Sequence, residues 1–430
     1  MNSETSAAAA AAASQPPDSG WRNFITPIRQ SRAFTLLWLG QWIAVLGSSV
    51  TTVILPIVIY SVTGSTTIMG LAMAVYMLPN VLVLPFSGWI VDRVDRVRLI
   101  LFTNGTRFLL MLCACFTMLG GRMNLPLLFA GLAVYGLMDG IFNPAYSALR
   151  AQVFTPDIRN AANALSQISV QAVRLLGPPL GGIIVSVTSA GIGFALDSLT
   201  YLVSFLCFWL LSSVLAGIPS SFRDSTGGKG SFISEFMEGF HVLKKEPWLW
   251  ITILAFCFIN ICYTGIISVL VPWLFKVHHG YSPIIYGLAM TGTGAGAIIG
   301  AFVYGAKRTW KHRGLIAYAG AFASGLALFL LSCINWMPGL ILIMFLEGFG
   351  IMMFAIIWET SLQELVPPEA FGRVASLDML GSFALLPAGY LAVGALADLI
   401  GGIWTIQLFA LIGMAIVAGV LCIPSIRRFQ

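Results

Sequence analysis

Twelve long apolar segments constrain this chain more than any other feature of its sequence. They fall near residues 33–60, 66–91, 98–119, 125–149, 161–187, 190–215, 248–275, 282–304, 314–334, 337–362, 372–396 and 402–424. Each is long enough for a helix to cross the hydrocarbon core of a bilayer, which takes roughly 20 residues. Because backbone polar groups in lipid must pair within the chain, such segments cross as helices. The sequence predicts an all-α integral membrane protein with twelve transmembrane helices.

Composition and motifs exclude most other classes of protein. The chain is 58% hydrophobic and only 9% charged, which is too apolar for a soluble globule. It holds no G-x-S-x-G, P-loop or H-E-x-x-H motif, and its seven cysteines lie inside apolar stretches without a metal-ligand spacing. We therefore expect no enzyme, no cofactor, no metal and no nucleic-acid partner, and a chain that functions as a monomer in the bilayer.

The basic residues indicate the orientation. Of the 23 lysines and arginines, 19 fall in the predicted loops and tails on the side of the N-terminus, whereas the loops of the other side hold only Arg122 and Lys276. Lysine and arginine are enriched in cytoplasmic loops. This predicts that both termini are cytoplasmic and that the protein lies in the plasma membrane, with the bacterial inner membrane as the expected location.

A polar stretch divides the segments into two sets of six. We expect a disordered cytoplasmic tail at 1–30, a six-helix bundle at 31–216, a cytoplasmic linker with an amphipathic helix at 217–247, and a second bundle at 248–425. The halves repeat at an offset of 212, as in the pairs Gly88 with Gly300 and Gly136 with Gly348. Two six-helix pseudo-repeats around a central cavity form the architecture of many secondary transporters.

Two charged residues fall within consecutive apolar segments. Asp139 precedes the turn near Thr155 and Arg174 follows it, so that in a helical hairpin the two lie roughly 4.5 Å apart along the axis, at a rise of 1.5 Å per residue. A charge in the membrane is costly and usually faces a partner or a wet cavity. The sequence predicts a charge pair between Arg174 and Asp139, which either fixes packing or breaks and re-forms during transport.

Two motifs resemble a known family. The loop from Gly88 to Arg96 looks like the signature between the second and third spans of the major facilitator superfamily, and the run from Gly177 to Gly182, G-P-P-L-G-G, looks like its antiporter motif. The resemblance covers about residues 30–425. The stretches 143–146, 162–165 and 174–178 also resemble the drug:proton antiporter branch, which includes macrolide and siderophore exporters.

This resemblance implies roles for several residues. It makes Asp92 a charge that holds the outward-facing state. The prolines of the antiporter motif themselves predict a bend in the fifth span, which suits a helix that pivots against a neighbour or is a static kink. The sequence departs from the family at Asp95, where the family has a second glycine, and at Leu132, where the motif arginine of the fourth span is expected. The implied conformational-switch residues are Gly88, Asp92, Arg93 and Arg96, and the implied antiporter residues are Gly177, Pro178, Gly181 and Gly182.

Two carboxyl groups are candidates for proton coupling. Asp139 and Glu347 lie at similar depths in spans four and ten, which line the central cavity in this family. A carboxyl group in a low-dielectric cavity can carry a proton at physiological pH. We expect Arg174 to keep Asp139 ionised, which makes Glu347 the better carrier. The candidate substrate-cavity residues are Gln41, Tyr76, Asn80, Tyr135, Asn143, Asn260 and Trp358.

The expected function is secondary active transport by alternating access. Sparse charges among apolar and aromatic side chains favour a proton-coupled exporter of lipophilic or amphipathic small molecules, with a drug or a siderophore-like compound as substrate. The alternatives are a lipid or lysolipid transporter, a solute uptake permease, and a transport-inactive membrane scaffold. The Asp92 loop and the Gly-Pro run argue against the scaffold.

Overall fold

The computed structural model describes residues 27–121, 124–155, 157–216, 243–306, 310–366 and 368–427. Most of the predicted tail at 1–30 and of the predicted linker helix at 217–247 lies outside the described residues. Within the described ranges the chain is helical and contains no β-strand.

Six helices form the first half. They are α1 Arg32–Thr63, α2 Thr66–Arg93, α3 Arg96–Leu119, α4 Leu125–Val153, α5 Arg159–Val187 and α6 Ala190–Ala216. Polar side chains start several of them: Ser31, Ser65, Asp95 and Asn124 each accept a hydrogen bond from a backbone N–H in the first turn of the following helix. Such caps satisfy backbone donors that have no partner within the helix.

The second half contains the remaining crossings. Its helices are α7 Pro247–Gly265, α8 Pro283–Gly305, α9 Arg313–Leu331, α10 Met337–Leu365, α11 Pro368–Phe383, α12 Leu386–Ile400, α13 Gly402–Leu421 and the short α14 Pro424–Arg427. The π-helical segments Ile266–Leu270 and Leu274–His278, with α-helical Val271–Trp273 between them, continue α7. The eleventh crossing is broken between α11 and α12 just before Pro387, because proline cannot donate a backbone hydrogen bond.

The described part contains twelve helical segments that are long and apolar enough to cross a membrane. Twelve successive crossings bring both ends of the chain to one end of the bundle. We call this the proximal end and the opposite one the distal end. The predicted all-α fold with twelve transmembrane helices is confirmed.

Helix packing follows the same plan in both halves. In the first half α2 packs against α4, and α6 packs against α1 and α3; in the second half α10 packs against α8 and α9. The halves meet mainly through two helix pairs, α5 with α8 and α2 with α12. Under the sequence offset of 212, α5 corresponds to the eleventh crossing and α8 corresponds to α2, so the two contacts correspond to one another.

Candidate functional site

A cavity of about 740 Å³ lies mainly inside the first half. Helices α1, α2, α3, α4 and α6 line most of it, and the second half closes one side with residues from the continuation of α7, from α8 and from α12. Those residues of the second half are Ile267, Ser268, Tyr286, Met290 and Tyr390. No residue of α10 is part of this lining, although the resemblance implies that span ten lines the cavity.

An ion pair lies in the cavity wall. Arg107 of α3 donates from Nη2 to Oδ1 of Asp139 on α4, and the hydroxyl of Tyr76 on α2 donates to Oδ2 of the same carboxylate at 2.6 Å. Arg107 is only 3% exposed. The carboxylate thus joins three helices, and its hydrogen bonds compensate for the burial of both charges.

Aromatic rings surround the guanidinium of Arg107. Its Cζ atom lies 4.7 Å from the ring centroid of Phe142, 5.5 Å from that of Tyr135 and 5.7 Å from that of Tyr201. The hydroxyl groups of Tyr135 and Tyr201 are 2.5 Å apart. A cation over aromatic faces gains cation–π attraction, which is larger where the cation is desolvated. The ring cluster therefore holds the guanidinium at the cavity wall.

The predicted pairing of Arg174 with Asp139 is wrong. Helix α4 packs mainly against α2 and α3, whereas α5 packs mainly against α1 and α8. Consecutive helices in this bundle are thus separated in space, and Arg107, 32 residues before Asp139, takes the place expected for Arg174. The side chain of Arg174 is exposed, and its backbone carbonyl lies at the α8 interface opposite Gly294.

The structure divides the predicted cavity residues into two groups. Gln41, Tyr76, Tyr135 and Asn143 line the cavity. Asn80, Asn260 and Trp358 are not part of this lining, so their assignment to it is corrected.

Local contacts explain two of the corrections. The side-chain amide of Asn260 donates to the carbonyl of Ser382 at 3.0 Å, and the indole of Trp358 donates to Asp378 at 3.1 Å. Both polar groups are therefore used in contacts between helices of the second half. The backbone of Asn80 lies where α2 packs against Gly140 of α4.

The two candidate carboxyl groups occupy different environments. Glu347 is 2% exposed and accepts a hydrogen bond from Ser324 of α9 at 3.3 Å, at the place where α10 packs against α9. It does not line the cavity, whereas Asp139 does. A substrate in this cavity could touch the network of Asp139 but not Glu347.

Sequence reasoning missed Asp197. This residue of α6 is 0% exposed and accepts hydrogen bonds from the hydroxyl of Thr51 on α1 and, at 3.4 Å, from that of Thr200. Thr51 itself lines the cavity. Asp197 is the only acidic residue in the sixth apolar segment. Because a charge in the membrane is costly, its position in this segment could have identified it as a candidate functional residue.

Histidine is a poor proton carrier beside this cavity. His278 and His279 follow one another at the distal end of the seventh crossing, and no described histidine lines the cavity. Burial and the neighbouring His278 lower the pKa of His279, which keeps its imidazole neutral at pH 7.

The halves are latched at the distal end. Asp398, near the end of α12, accepts hydrogen bonds from the backbone N–H groups of Thr66 and Thr67, both at 2.9 Å, and from the hydroxyls of Ser65 and Thr66, both at 2.6 Å. A carboxylate from one half thus caps the N-terminus of α2 in the other half, where the helix dipole favours a negative charge. We call this contact the distal latch.

The antiporter motif lies at the second contact between the halves. A Cβ atom on Gly182 would lie 2.5 Å from the carbonyl oxygen of Pro283, and one on Gly287 would lie 2.5 Å from that of Pro178. Only glycine permits α5 and α8 to approach this closely. Gly177 and Gly181 face α1 instead, next to Ser49 and Val50 respectively.

The halves separate towards the proximal end. A groove of about 680 Å³ lies between the proximal parts of α5 and α8. Helix α2 packs along α12, and its packing against α11, at the proximal end of the same crossing, is slight. The structure is therefore closed between the halves at the distal end and parted between α5 and α8 at the proximal end. The groove residues are Gln167, Ile168, Gln171, Ile298, Ala301, Phe302, Gly305 and Ala306.

The switch motif is described only in part. The backbone of α2 includes Gly88 and Asp92, but the burial of Gly88 and the side chain of Asp92 lie outside what the structure describes. Arg93 ends α2 and Arg96 begins α3. Asp95, which stands where the family has glycine, caps α3 by accepting from the backbone N–H of Arg98 at 2.9 Å. The departure from the family motif thus serves the start of a helix.

Comparison with known families decides the identity of the fold. The sequence pattern of the Major Facilitator Superfamily matches residues 37–385. The chain belongs to the major facilitator superfamily. As a member of this superfamily it is a multi-pass membrane transporter and not an enzyme, and the resemblance seen in the two motifs is confirmed.

Relatives within the superfamily are distant but cover nearly the whole chain. The staphyloferrin A transporter of Staphylococcus aureus (strain NCTC 8325 / PS 47) is 24% identical over 405 residues, 92% of this chain and 93% of that protein. Macrolide efflux protein A of Streptococcus pyogenes is 21% identical over 406 residues, 92% of this chain and 96% of that protein.

Solved structures agree with the superfamily fold. A crystal structure of a POT family transporter in complex with 5-aminolevulinic acid has a TM-score of 0.71 at 12% identity, and the match covers 93% of this chain and 97% of that chain. At this identity the similarity shows the fold alone.

Proposed function

We propose that the protein is a proton-coupled exporter of lipophilic or amphipathic small molecules that works by alternating access. The observation that carries this proposal is the cavity of about 740 Å³ whose wall is mostly apolar and aromatic but holds one buried ion pair, Arg107 with Asp139. Apolar surface accommodates a lipophilic substrate, and a few fixed polar groups orient it. Relatives named as a macrolide efflux protein and a staphyloferrin A transporter support transport of such compounds.

Asp139 is the carboxylate that we assign to proton coupling. It lines the cavity, and its two partners, Arg107 and Tyr76, lie on two other helices. Protonation of Asp139 removes the charge that holds Arg107 and thereby loosens the contacts among α2, α3 and α4. Glu347 is the second candidate from the sequence, but it lies away from the cavity and has no cationic partner among the described residues.

The distal latch and the place of Asp92 at the other end of α2 suggest how the states alternate. Asp398 caps the distal N-terminus of α2, and Asp92 lies one residue before its proximal end. We assign the distal latch to the state that is open at the proximal end, and Asp92 to the opposite state, as the family resemblance implies. With the proximal end in the cytoplasm, the present structure is inward-facing.

The test is proton-driven transport in proteoliposomes. Purified protein is reconstituted with an imposed proton gradient, and accumulation of a fluorescent amphipathic amine is compared for the natural chain, Asp139→Asn and Glu347→Gln. We expect Asp139→Asn to reduce gradient-driven accumulation to the level of protein-free liposomes while retaining substrate binding, and Glu347→Gln to transport. Normal accumulation by Asp139→Asn together with loss in Glu347→Gln would reverse the assignment. No gradient-dependent transport by the natural chain, across neutral, cationic and anionic amphipathic probes, would overturn the proposed function.

A further inference from the structure

Asp197 is a buried acid that the mechanism above does not use. It lies in the middle of α6 with no exposed surface. Helix α1 approaches α6 so closely that a Cβ atom on Gly47 would lie 2.7 Å from its Oδ1 atom. The partners of its carboxyl group are the hydroxyls of Thr51 and Thr200. Thr51 also lines the cavity, so a residue that donates a hydrogen bond to Asp197 belongs to the cavity wall.

The charged groups around Asp197 form one cluster. Arg107 of α3 and Asp139 of α4 lie within electrostatic range of Asp197. The neutral hydroxyls of Tyr135 on α4 and of Tyr201, one turn after Asp197 on α6, belong to the same group. Among the described residues, the other helices that pack against α6 add no charge at this level. Helix α1 presents Thr51, and the mid-helix cation of α5, Arg174, has an exposed side chain.

The charge balance of this cluster is uneven. It contains one cation and two acids, and the cation is paired with Asp139. Among the described residues, Asp197 has no lysine, arginine or histidine within ion-pair distance. A buried carboxylate without a cation is costly, whereas a neutral carboxyl group can share hydrogen bonds with the hydroxyl of Thr51. Of the two acids, Asp139 therefore has the cation as its partner, and Asp197 has only hydroxyl groups.

We propose that Asp197 is a second proton-binding position of the transport cycle, which releases its proton through the Thr51 hydroxyl when Asp139 becomes protonated. In the first state Asp139 is a carboxylate, Arg107 is a cation and Asp197 carries a proton. In the second state Asp139 carries the proton and Asp197 is the carboxylate that compensates Arg107. The cluster has zero net charge in both states, and each proton bound at Asp139 is matched by one released at Asp197. This inference deepens the proposed proton coupling and rests on it.

Transport assays test the role of Asp197 in the cycle. Asp197→Asn stays neutral and keeps hydrogen-bonding capacity towards Thr51, so a merely structural acid tolerates the change. We expect this variant to lose proton-driven accumulation but to retain substrate binding and substrate exchange without a proton gradient. Thr51→Val should slow proton-driven accumulation, and Thr51→Ser should restore it. If Asp197→Asn accumulates substrate as the natural chain does and its pH profile is unchanged, Asp197 is structural.

Infrared spectroscopy tests the same proposal without transport. The difference spectrum between the natural chain and Asp197→Asn isolates the stretching band of a protonated carboxyl group at this residue. We expect the band at neutral pH, and we expect its loss in an Asp139→Asn background, where Arg107 is left for Asp197 to compensate. Absence of the band, or its persistence in that background, would overturn the proposal. This result is independent of transport, so it is distinguishable from a failure of the proposed function. If Asp197→Asn does not fold, the infrared spectrum of Asp197→Glu is compared with that of Thr51→Val instead.

Discussion

At the scale of single residues, the ion pair of Arg107 and Asp139 is the interaction most sensitive to change. Arg107 is almost fully buried, and removing Asp139 leaves its charge without a partner. We expect Asp139→Leu or Arg107→Leu alone to cost about 3–5 kcal/mol of stability, and the double change to cost less than the sum of the two. Thermal unfolding in detergent measures the cycle.

Arg174→Leu is the matched control for this cycle. It removes a cation from the middle of a helix, but the side chain is exposed and makes no ion pair among the described residues. We expect Arg174→Leu to change stability much less than Arg107→Leu does, and its effect on stability to add to that of Asp139→Leu. Simple additivity between Arg107 and Asp139 would contradict the ion pair.

Part of this cluster could be predicted from the sequence and part could not. Asp139 was identifiable because a charge within an apolar segment requires a partner. Its partner was not identifiable, because Arg107 and Arg174 are both cations within spans and the choice depends on which helices are neighbours. Tyr76 and Tyr135 were identified as polar groups within spans, and both line the cavity.

At the scale of helices, the prediction failed where it assumed that consecutive helices are neighbours. The turn between α4 and α5 suggested a packed hairpin, but α5 lies against α1 and against α8 of the other half. Apolar length fixes how many times the chain crosses, and it contains no information on the lateral order of the crossings. Short motifs helped more, since the glycines from Gly177 to Gly182 do lie at tight helix contacts.

The distal latch yields a prediction about helix pairs. Asp398→Asn keeps the size of the side chain but removes the charge that faces the N-terminus of α2. We expect it to shift the protein towards the state that is open at the distal end. Asp92→Asn should shift it the opposite way. Distances between spin labels at Val62 and Leu399, which are exposed at the distal ends of α1 and α12, measure the shift.

The control for the latch is Asp95→Asn. Asp95 also caps a helix, and its hydrogen bond from the backbone N–H of Arg98 lies within the first half. Because asparagine caps a helix about as well as aspartate, Asp95→Asn should change stability by less than about 0.5 kcal/mol and should leave the distances between the labels unchanged. Equal label distances in the natural chain and Asp398→Asn would show that the latch does not bias the two states.

The contact between α5 and α8 gives a second prediction of this kind. A side chain at Gly287 collides with the backbone of Pro178, since its Cβ atom would lie only 2.5 Å from that carbonyl oxygen. We expect Gly287→Val to separate the halves at this contact and to lower gradient-driven transport. Gly105→Ala is the control, because its Cβ atom would make an ordinary contact with Phe205 at 3.5 Å. Full transport by Gly287→Val would show that close packing here is dispensable.

At the scale of the whole molecule, the two bundles share a packing plan but not the same chemistry. The cavity and the ion pair belong mainly to the first half, while α10 places Glu347 away from the cavity. The repeat at an offset of 212 predicted equivalent helices correctly, yet it also suggested equivalent roles for spans four and ten. Side chains at equivalent positions can face different neighbours once the halves diverge, so the repeat predicts the fold better than the site.

Membrane orientation gives the last prediction, and it decides how the present state is interpreted. The proximal end holds 19 of the 23 basic residues by sequence, and the charge of cytoplasmic loops sets the topology of short-looped membrane proteins. We expect a phosphatase reporter fused after Gln430 to be inactive and a fluorescent protein at the same site to be bright, with the pattern inverted for a fusion in the distal loop at Gly280. If the reporters show the opposite pattern, the distal latch would close the cytoplasmic side instead. The structure would then be outward-facing, and the order in which Asp139 meets the two aqueous phases would reverse.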